Sequence, residues 1–216
     1  MHNKNDSLYA NIIRIQEELA KKVVSEDKFD KEIEFVCGVD VSYKKGFAKC
    51  SAVIINKNNL QVIEIANSKS EIEYPYIPGL FLLRESKPIL DTLKLLNNTF
   101  QLLLIDGHGI LHPRRCGLAS YIGIITGNST IGVAKSLLCG TIQKDNYVQH
   151  NKEILGYAIK KEIKSKDKMI YVSVGHKISL LTSINMVKSL IKKDEWIPEP
   201  LRIADLSSKG KDISYS

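Results

Sequence analysis

At 216 residues, 44% of them hydrophobic and 25% charged, the chain has the makings of one full-sized folded domain and not of a disordered or low-complexity sequence. Lys and Arg outnumber Asp and Glu by 31 to 24, a formal charge of +7 with a pI near 9.1, which favours polyanionic partners because phosphate contacts release condensed counterions. No apolar run approaches the ~20 residues of a membrane span, Met1–Asp6 carries no signal-peptide core, and Cys37, Cys50, Cys116 and Cys139 form no C-x-x-C pair that would suggest a zinc ribbon or redox couple.

A single domain over 1–216 is expected, cytoplasmic, monomeric and away from membranes. Leu8, Ile12, Ile15, Leu19 and Val23 recur at helical spacing behind Asp6 or Ser7 as N-cap, so the chain opens on an amphipathic helix. From Lys31 to Val41 the period changes to two, with Phe35, Cys37 and Val39 on one face and Val36, Gly38 and Asp40 on the other. Strand-like runs follow at 47–55 and 60–68, joined by the turn Asn56–Asn59, and the three strands read as an antiparallel meander. After Tyr74–Gly79 a helical pattern extends to about Leu96. Gln101–Asp106 is a short, continuously apolar run of the kind buried in parallel sheets. A loop at 107–115, a helix, strands near 130–134 and 169–174 and a final helix over 179–192 complete the order. The tail from Ser207 reads as polar and frayed. The fold class is therefore α/β, with a mixed sheet flanked by helices.

Asp40 and Asp106 each close an apolar strand, where open α/β sheets place ligand-binding groups. If the strands are neighbours, two such carboxylates repel unless a cation lies between them, and oxygen ligands suit Mg²⁺ or Mn²⁺. Helix caps or turn residues would use the same acids without any metal. His108 and His112 have helical zinc spacing, but Gly107, Gly109 and Pro113 oppose a helix there. Arg114 and Arg115 suit phosphate contacts, or simple solvation. Tyr76, between Pro75 and Pro78, is either a core plug or an aromatic preset to wedge into a base stack.

Taken together, several segments resemble the endonuclease V family: Val39-Asp40, Pro75–Gly79 followed by Arg84-Glu85, Asp106–Gly109, His112–Arg115 and Gly132–Lys135. Gly175-His176 and Pro198–Pro200 with Arg202 and Asp205 extend the likeness, which covers most of the chain from about Val36. The resemblance implies a ribonuclease H-like fold, with helices on both faces of a central mixed sheet. It also implies a Mg²⁺-dependent DNA-repair endonuclease, with Mn²⁺ as a possible substitute. Such an enzyme cuts the second phosphodiester bond on the 3′ side of deoxyinosine and leaves 3′-hydroxyl and 5′-phosphate ends. By matching motif, Asp40, Asp106 and Glu85 would form the metal-binding acidic set, with Lys135 at the scissile phosphate and Asp205 as a fourth catalytic group. Tyr76 would be the wedge, Gly79, Gly107, Gly109 and His112 the region of the displaced base, and Arg114 and Arg115 further DNA contacts. Three alternatives are a ribonuclease of inosine-containing RNA, a non-catalytic binder of inosine or branched DNA, and a small-molecule hydrolase built on His108 and His112.

Overall fold

The alternating stretch around Cys37 forms strand β1 (Phe35–Lys44) in a computed structural model, which describes residues 2–75, 77 and 79–211, with side chains from residue 9 onward. The expectations for Tyr76 and for the tail beyond Lys211 lie outside the described residues. Both faces of β1 are buried, Cys37 and Val39 against one helical layer and Val36 against the other. That is the demand placed on a central strand of a sheet covered on both sides.

β1 pairs antiparallel with β2 (Phe47–Asn56), which pairs antiparallel with β3 (Val62–Glu71), so the expected meander is present. On its other side β1 runs parallel to β4 (Leu102–Asp106), and β4 parallel to β5 (Thr130–Ala134). The remaining strands are β6 (Thr141–Ile142), β7 (Tyr147–His150), β8 (Glu153–Ile163) and β9 (Lys166–His176). Among the described residues all nine belong to one sheet, ordered β3-β2-β1-β4-β5-β9-β8-β7-β6.

One face is covered by α1 (His2–Ala20), α2 (Phe81–Leu93) and α3 (Leu118–Thr126), with Ile12, Leu82, Ile89 and Ile122 packed against β1 and β4. The opposite face carries α4 (Leu180–Ser189) and α5 (Glu199–Ser208), through Val187, Leu201 and Ala204. Among the described residues no helix is long and apolar enough to cross a membrane.

Five expectations need correction. Helix α1 starts ahead of Asp6 and Ser7 and stops at Ala20, short of Val23. Asp40 does not end its strand, because a tight turn at Lys45 and Gly46, both at positive φ, carries the hairpin out to the pair Lys44↔Phe47. Between the strands expected near 130–134 and 169–174, where no further strand was expected, lie β6, β7, β8 and the first part of β9, the last two joined through Lys164 and Ser165 at positive φ. The helix ending at Ser189 is not the last. Helix α5 follows, opened by Pro198 and Pro200, where proline is tolerated because the first N–H groups of a helix have no partner inside it. Ser207 and Ser208 are thus helical, and Ser208 is buried, not frayed.

Gly38 decides how α5 sits. A Cβ there would lie 2.5 Å from the carbonyl carbon of Pro200, so only glycine lets the start of α5 rest directly on β1. The same face of β1 carries Asp40 two residues later, beneath the end of α5.

Candidate active site

Register places Val39 beside Ile105, so the next residues, Asp40 and Asp106, stand together where β4 stops and β1 continues. Asp40 is 7% exposed. Burial, reinforced by the charge of Asp106 and a hydrogen bond with it, pushes the Asp40 carboxyl up to about 7. Lys135, next after β5, donates its Nζ to Asp106 Oδ2. Burial works to lower the Lys135 ammonium, but Asp106, Asp40 and Asp205 together hold it above its ordinary value.

Helix α5 closes the site from the other side. Ser208 Oγ donates to Asp40 Oδ2 at 3.2 Å, and Asp205 accepts from Lys209 Nζ at 2.5 Å. Asp205 is close enough to add to the upward push on Asp40. The result is a cleft of about 550 Å³ whose walls include Asp40, Asp106 and Asp205 with Lys49, Lys135 and Lys209. Acids in a ring of lysines suit a phosphate chain approaching a cation.

Glu85 enters from α2 on the opposite face. It is 4% exposed and accepts from Tyr43 Oη at 2.9 Å, while the Arg84 guanidinium lies 3.9 Å over the Tyr43 ring. Burial raises the Glu85 carboxyl well above its ordinary range. The Tyr43 hydrogen bond opposes that push, and the charges of Asp40 and Asp106 add to it. Among the described residues, no three His, Cys, Asp or Glu side chains are grouped as a ready ligand set, so Glu85 is not preassembled with Asp40 and Asp106. The Asp40–Asp106 pair nevertheless fits a hard divalent cation. Two carboxyls are pressed together, and even with Lys135 on Asp106 one of them holds a proton near neutrality, a place that a cation can take; Mg²⁺ is commonly held by one or two carboxylates plus water and substrate phosphate.

A second cavity, of about 250 Å³, shares Asp106 and Lys135 with the cleft. Gly79, Phe81, Leu82, Gly107, His108 and His112 are among its lining residues. Gly109 is not on its wall. It lies pressed on β9, where a Cβ would come within 1.9 Å of the Val174 carbonyl oxygen, so its role is to seat the loop. His108 and His112 form no zinc pair. Their Nε2 atoms bond to the carbonyls of Ser136 (2.9 Å) and Gly79 (3.1 Å), and His112 Nδ1 accepts from the Arg114 N–H. Burial, with Arg114 nearby, lowers His112 to about 4, so the ring is neutral at physiological pH.

Arg114 points inward, onto Gly79 and Gln16, and Arg115 pairs with Glu153. His176 stands across from Thr130, at the start of β5 and so away from the site, accepting from the Val24 N–H at 3.3 Å. Tyr43, Ser208 and Gln16 were not anticipated from the sequence. Tyr43 carried a weak signal, the odd-numbered parity of β1 that turns it toward α2. Ser208 and Gln16 gave none, since their partners lie 168 and up to 100 residues away.

The raised Asp40 carboxyl has a measurable consequence. In the metal-free protein Asp40 keeps its proton up to about 7, whereas the unfolded chain loses it near 3.8. Its contribution to stability is therefore full below about 3.8 and is lost as pH rises through 7. A cation held by Asp40 would have to displace that proton, so calorimetry with Mn²⁺ as the probe should find binding about tenfold tighter at pH 8 than at pH 6, with proton release at pH 6. Equal affinity at the two pH values would contradict the pairing of these carboxyls.

A mixed sheet with helices on both faces, and two acids side by side where the parallel pairing of β1 and β4 stops, is the arrangement of a ribonuclease H-like nuclease. Residues 17–206 match the model of the family described as Endonuclease V. Endonuclease V of Dictyoglomus turgidum is 40% identical over 93% of this chain and 90% of that protein. Endonuclease V of Thermofilum pendens is 36% identical over 89% of this chain and 84% of its own. Among solved structures, Ciona intestinalis endonuclease V, in complex with a DNA containing an inosine followed by a ribo-adenosine, superposes with a TM-score of 0.82. It is 30% identical, covering 94% of this chain and 97% of its own. The chain belongs to the endonuclease V family, whose nucleases are in general metal-dependent.

Proposed function

We propose that the chain repairs deaminated DNA in the cytoplasm, cutting the second phosphodiester bond on the 3′ side of deoxyinosine. The observation that carries this reading is the shared wall of the two cavities. A base lodged in the smaller cavity, against Gly79, Gly107 and His112 on its wall, leaves the backbone that follows it to run past Asp106 and Lys135 into the acidic cleft. Extruding a base costs least where pairing is already weak, as at a deaminated adenine, so the lesion is favoured before the cavity reads it. Tyr76 supplies the wedge that fills the vacated stack.

Asp40 and Asp106 hold a divalent cation, Mg²⁺ with Mn²⁺ as substitute, and Glu85 completes the acidic set. When bound, the ion supplies positive charge at the scissile phosphate and favours water as a nucleophile near neutral pH. Ser208 fixes the rotamer of Asp40, and Asp205 keeps Lys209 at the cleft edge. Lys135 turns from Asp106 to the phosphate and stabilises the charge that builds there. Water's oxygen bonds to phosphorus, the bond from phosphorus to the 3′ oxygen breaks, and that oxygen takes up a proton. The ends are therefore 3′-hydroxyl and 5′-phosphate. Arg115 and the lysine rim add contacts to the backbone.

A second reading, cleavage of inosine-containing RNA, is favoured by one observation, the ribo-adenosine after the inosine in the Ciona complex. Matched oligonucleotides, with deoxyribose or ribose around a single inosine and labelled at one end, separate the two. Faster cutting of the deoxy substrate at the second bond supports the DNA reading, and cutting confined to the ribose substrate contradicts it.

A further inference from the structure

Arg114 belongs to a segment whose sequence promises phosphate contact, yet its guanidinium faces the protein interior. Nη2 donates to the Gly79 carbonyl at 2.5 Å and Nε to Gln16 Oε1 at 2.8 Å. Gln16 lies on α1 and is 1% exposed. Its Nε2 donates to the Cys116 carbonyl at 2.8 Å and reaches the Gly79 carbonyl at 3.3 Å. His112 Nε2 is a third group on that carbonyl, at 3.1 Å.

One oxygen with two lone pairs is thus addressed by three donors, from α1, from the His112 ring and from Arg114. The backbone there is left-handed, with Gly79 at φ +76°, and Arg114 Nη2 lies 3.0 Å from where a Cβ would stand. Gly79 ends the Pro75–Gly79 segment and, with Gln16 and His112, lines the smaller cavity. Tethering α1 to the domain requires only the bond from Gln16 to Cys116. It does not explain why a half-buried guanidinium turns inward to grip the end of a loop. Its planar fork reaches the two acceptors from two separate nitrogens, whereas lysine has a single ammonium nitrogen to offer both.

We propose that Gln16 and Arg114 are specificity-determining positioning residues, which clamp the Gly79 carbonyl and so fix the rim of the cavity that admits the deaminated base. The proposal rests on the base-reading function given above. The clamp acts before substrate arrives, so that little ordering entropy is lost when the base enters.

The test compares the full-length protein with Gln16→Leu, Arg114→Met and Arg114→Lys. Affinity for an inosine duplex and for the same duplex with adenine is measured over a range of salt, without added divalent cation. Melting curves establish the folded fraction. All three variants should lose preference for inosine by about tenfold, the worth of one hydrogen bond at the upper end for a neutral donor and the lower end for a charged one. Their plots of log affinity against log salt should keep the wild-type slope. Arg114→Lys guards against misfolding in the other two, since it keeps the charge and loses only the fork.

Lower melting temperatures with undiminished preference in the folded fraction would overturn the clamp as a specificity device. Equal weakening on both duplexes in Arg114→Met, with a salt slope smaller by about one, would overturn it in favour of a direct phosphate contact. Absence of any inosine preference in the wild-type protein would overturn the functional reading itself, and the clamp's role with it.

Discussion

Asp106→Asn should reduce cleavage of an inosine duplex by on the order of 10³-fold or more, while the protein stays folded. Asn keeps the shape of the side chain and an oxygen for Lys135, so β4 and the loop after it have no reason to move. What disappears is one of the two negative charges at the place where a cation belongs, and losing a single preorganised electrostatic contact costs 10²–10³ in some enzymes. In the metal-free protein the substitution also removes a like charge from beside Asp40. The Asp40 carboxyl should therefore titrate below its value of about 7, and the melting temperature should hold or rise. Steady-state cleavage with Mg²⁺ and a melting curve decide the matter. Cutting within tenfold of wild type would mean that Asp106 does not serve the reaction.

Gly38→Ala should destabilise the protein sharply, although it adds a single methyl group. The added Cβ would stand 2.5 Å from the Pro200 carbonyl carbon and 2.7 Å from the Leu201 nitrogen, backbone atoms that cannot rotate away. Overpacking typically costs 1–3 kcal/mol, and a backbone contact belongs at the upper end, about 3 kcal/mol. For a domain of this size that is a fall of roughly 6–12 °C in melting temperature. Activity should fall as well, even in the folded fraction, because lifting α5 draws Ser208 and Asp205 away from Asp40. A variant with wild-type melting and wild-type cleavage would show that α5 is not seated through Gly38.

The centre of the sheet was legible because its strands bury both faces and so write themselves as apolar runs: the register of Asp40 beside Asp106 follows from β1 and β4 alone. Strand β8 was not legible. It lies toward the edge of the sheet, its outer half breaks the apolar pattern with the consecutive charges Lys160, Lys161 and Glu162, and its turn at Lys164 and Ser165 lacks the Gly or Asn that usually marks one. Helix α5 hid behind Pro198 and Pro200, which read as loop residues although both fit a helix start. At the site, Asp40, Glu85, Asp106, Lys135 and Asp205 were anticipated, and the structure gathers all but Glu85 around the acidic cleft, with Glu85 approaching from behind. The direction of Arg114 was beyond reach of the sequence. Whether a guanidinium meets solvent or a carbonyl depends on Gln16, 98 residues earlier in the chain.

The most direct test uses two end-labelled duplexes, identical except for inosine or adenine at one position, each incubated with the purified protein in the presence and absence of Mg²⁺. The expected result is a single cut at the second phosphodiester bond 3′ to inosine, leaving 3′-hydroxyl and 5′-phosphate ends, only with Mg²⁺ and not on the adenine duplex. Equal cutting of both duplexes, or cutting of the inosine duplex that persists after divalent cations are chelated, would contradict a cation-dependent endonuclease that reads the deaminated base.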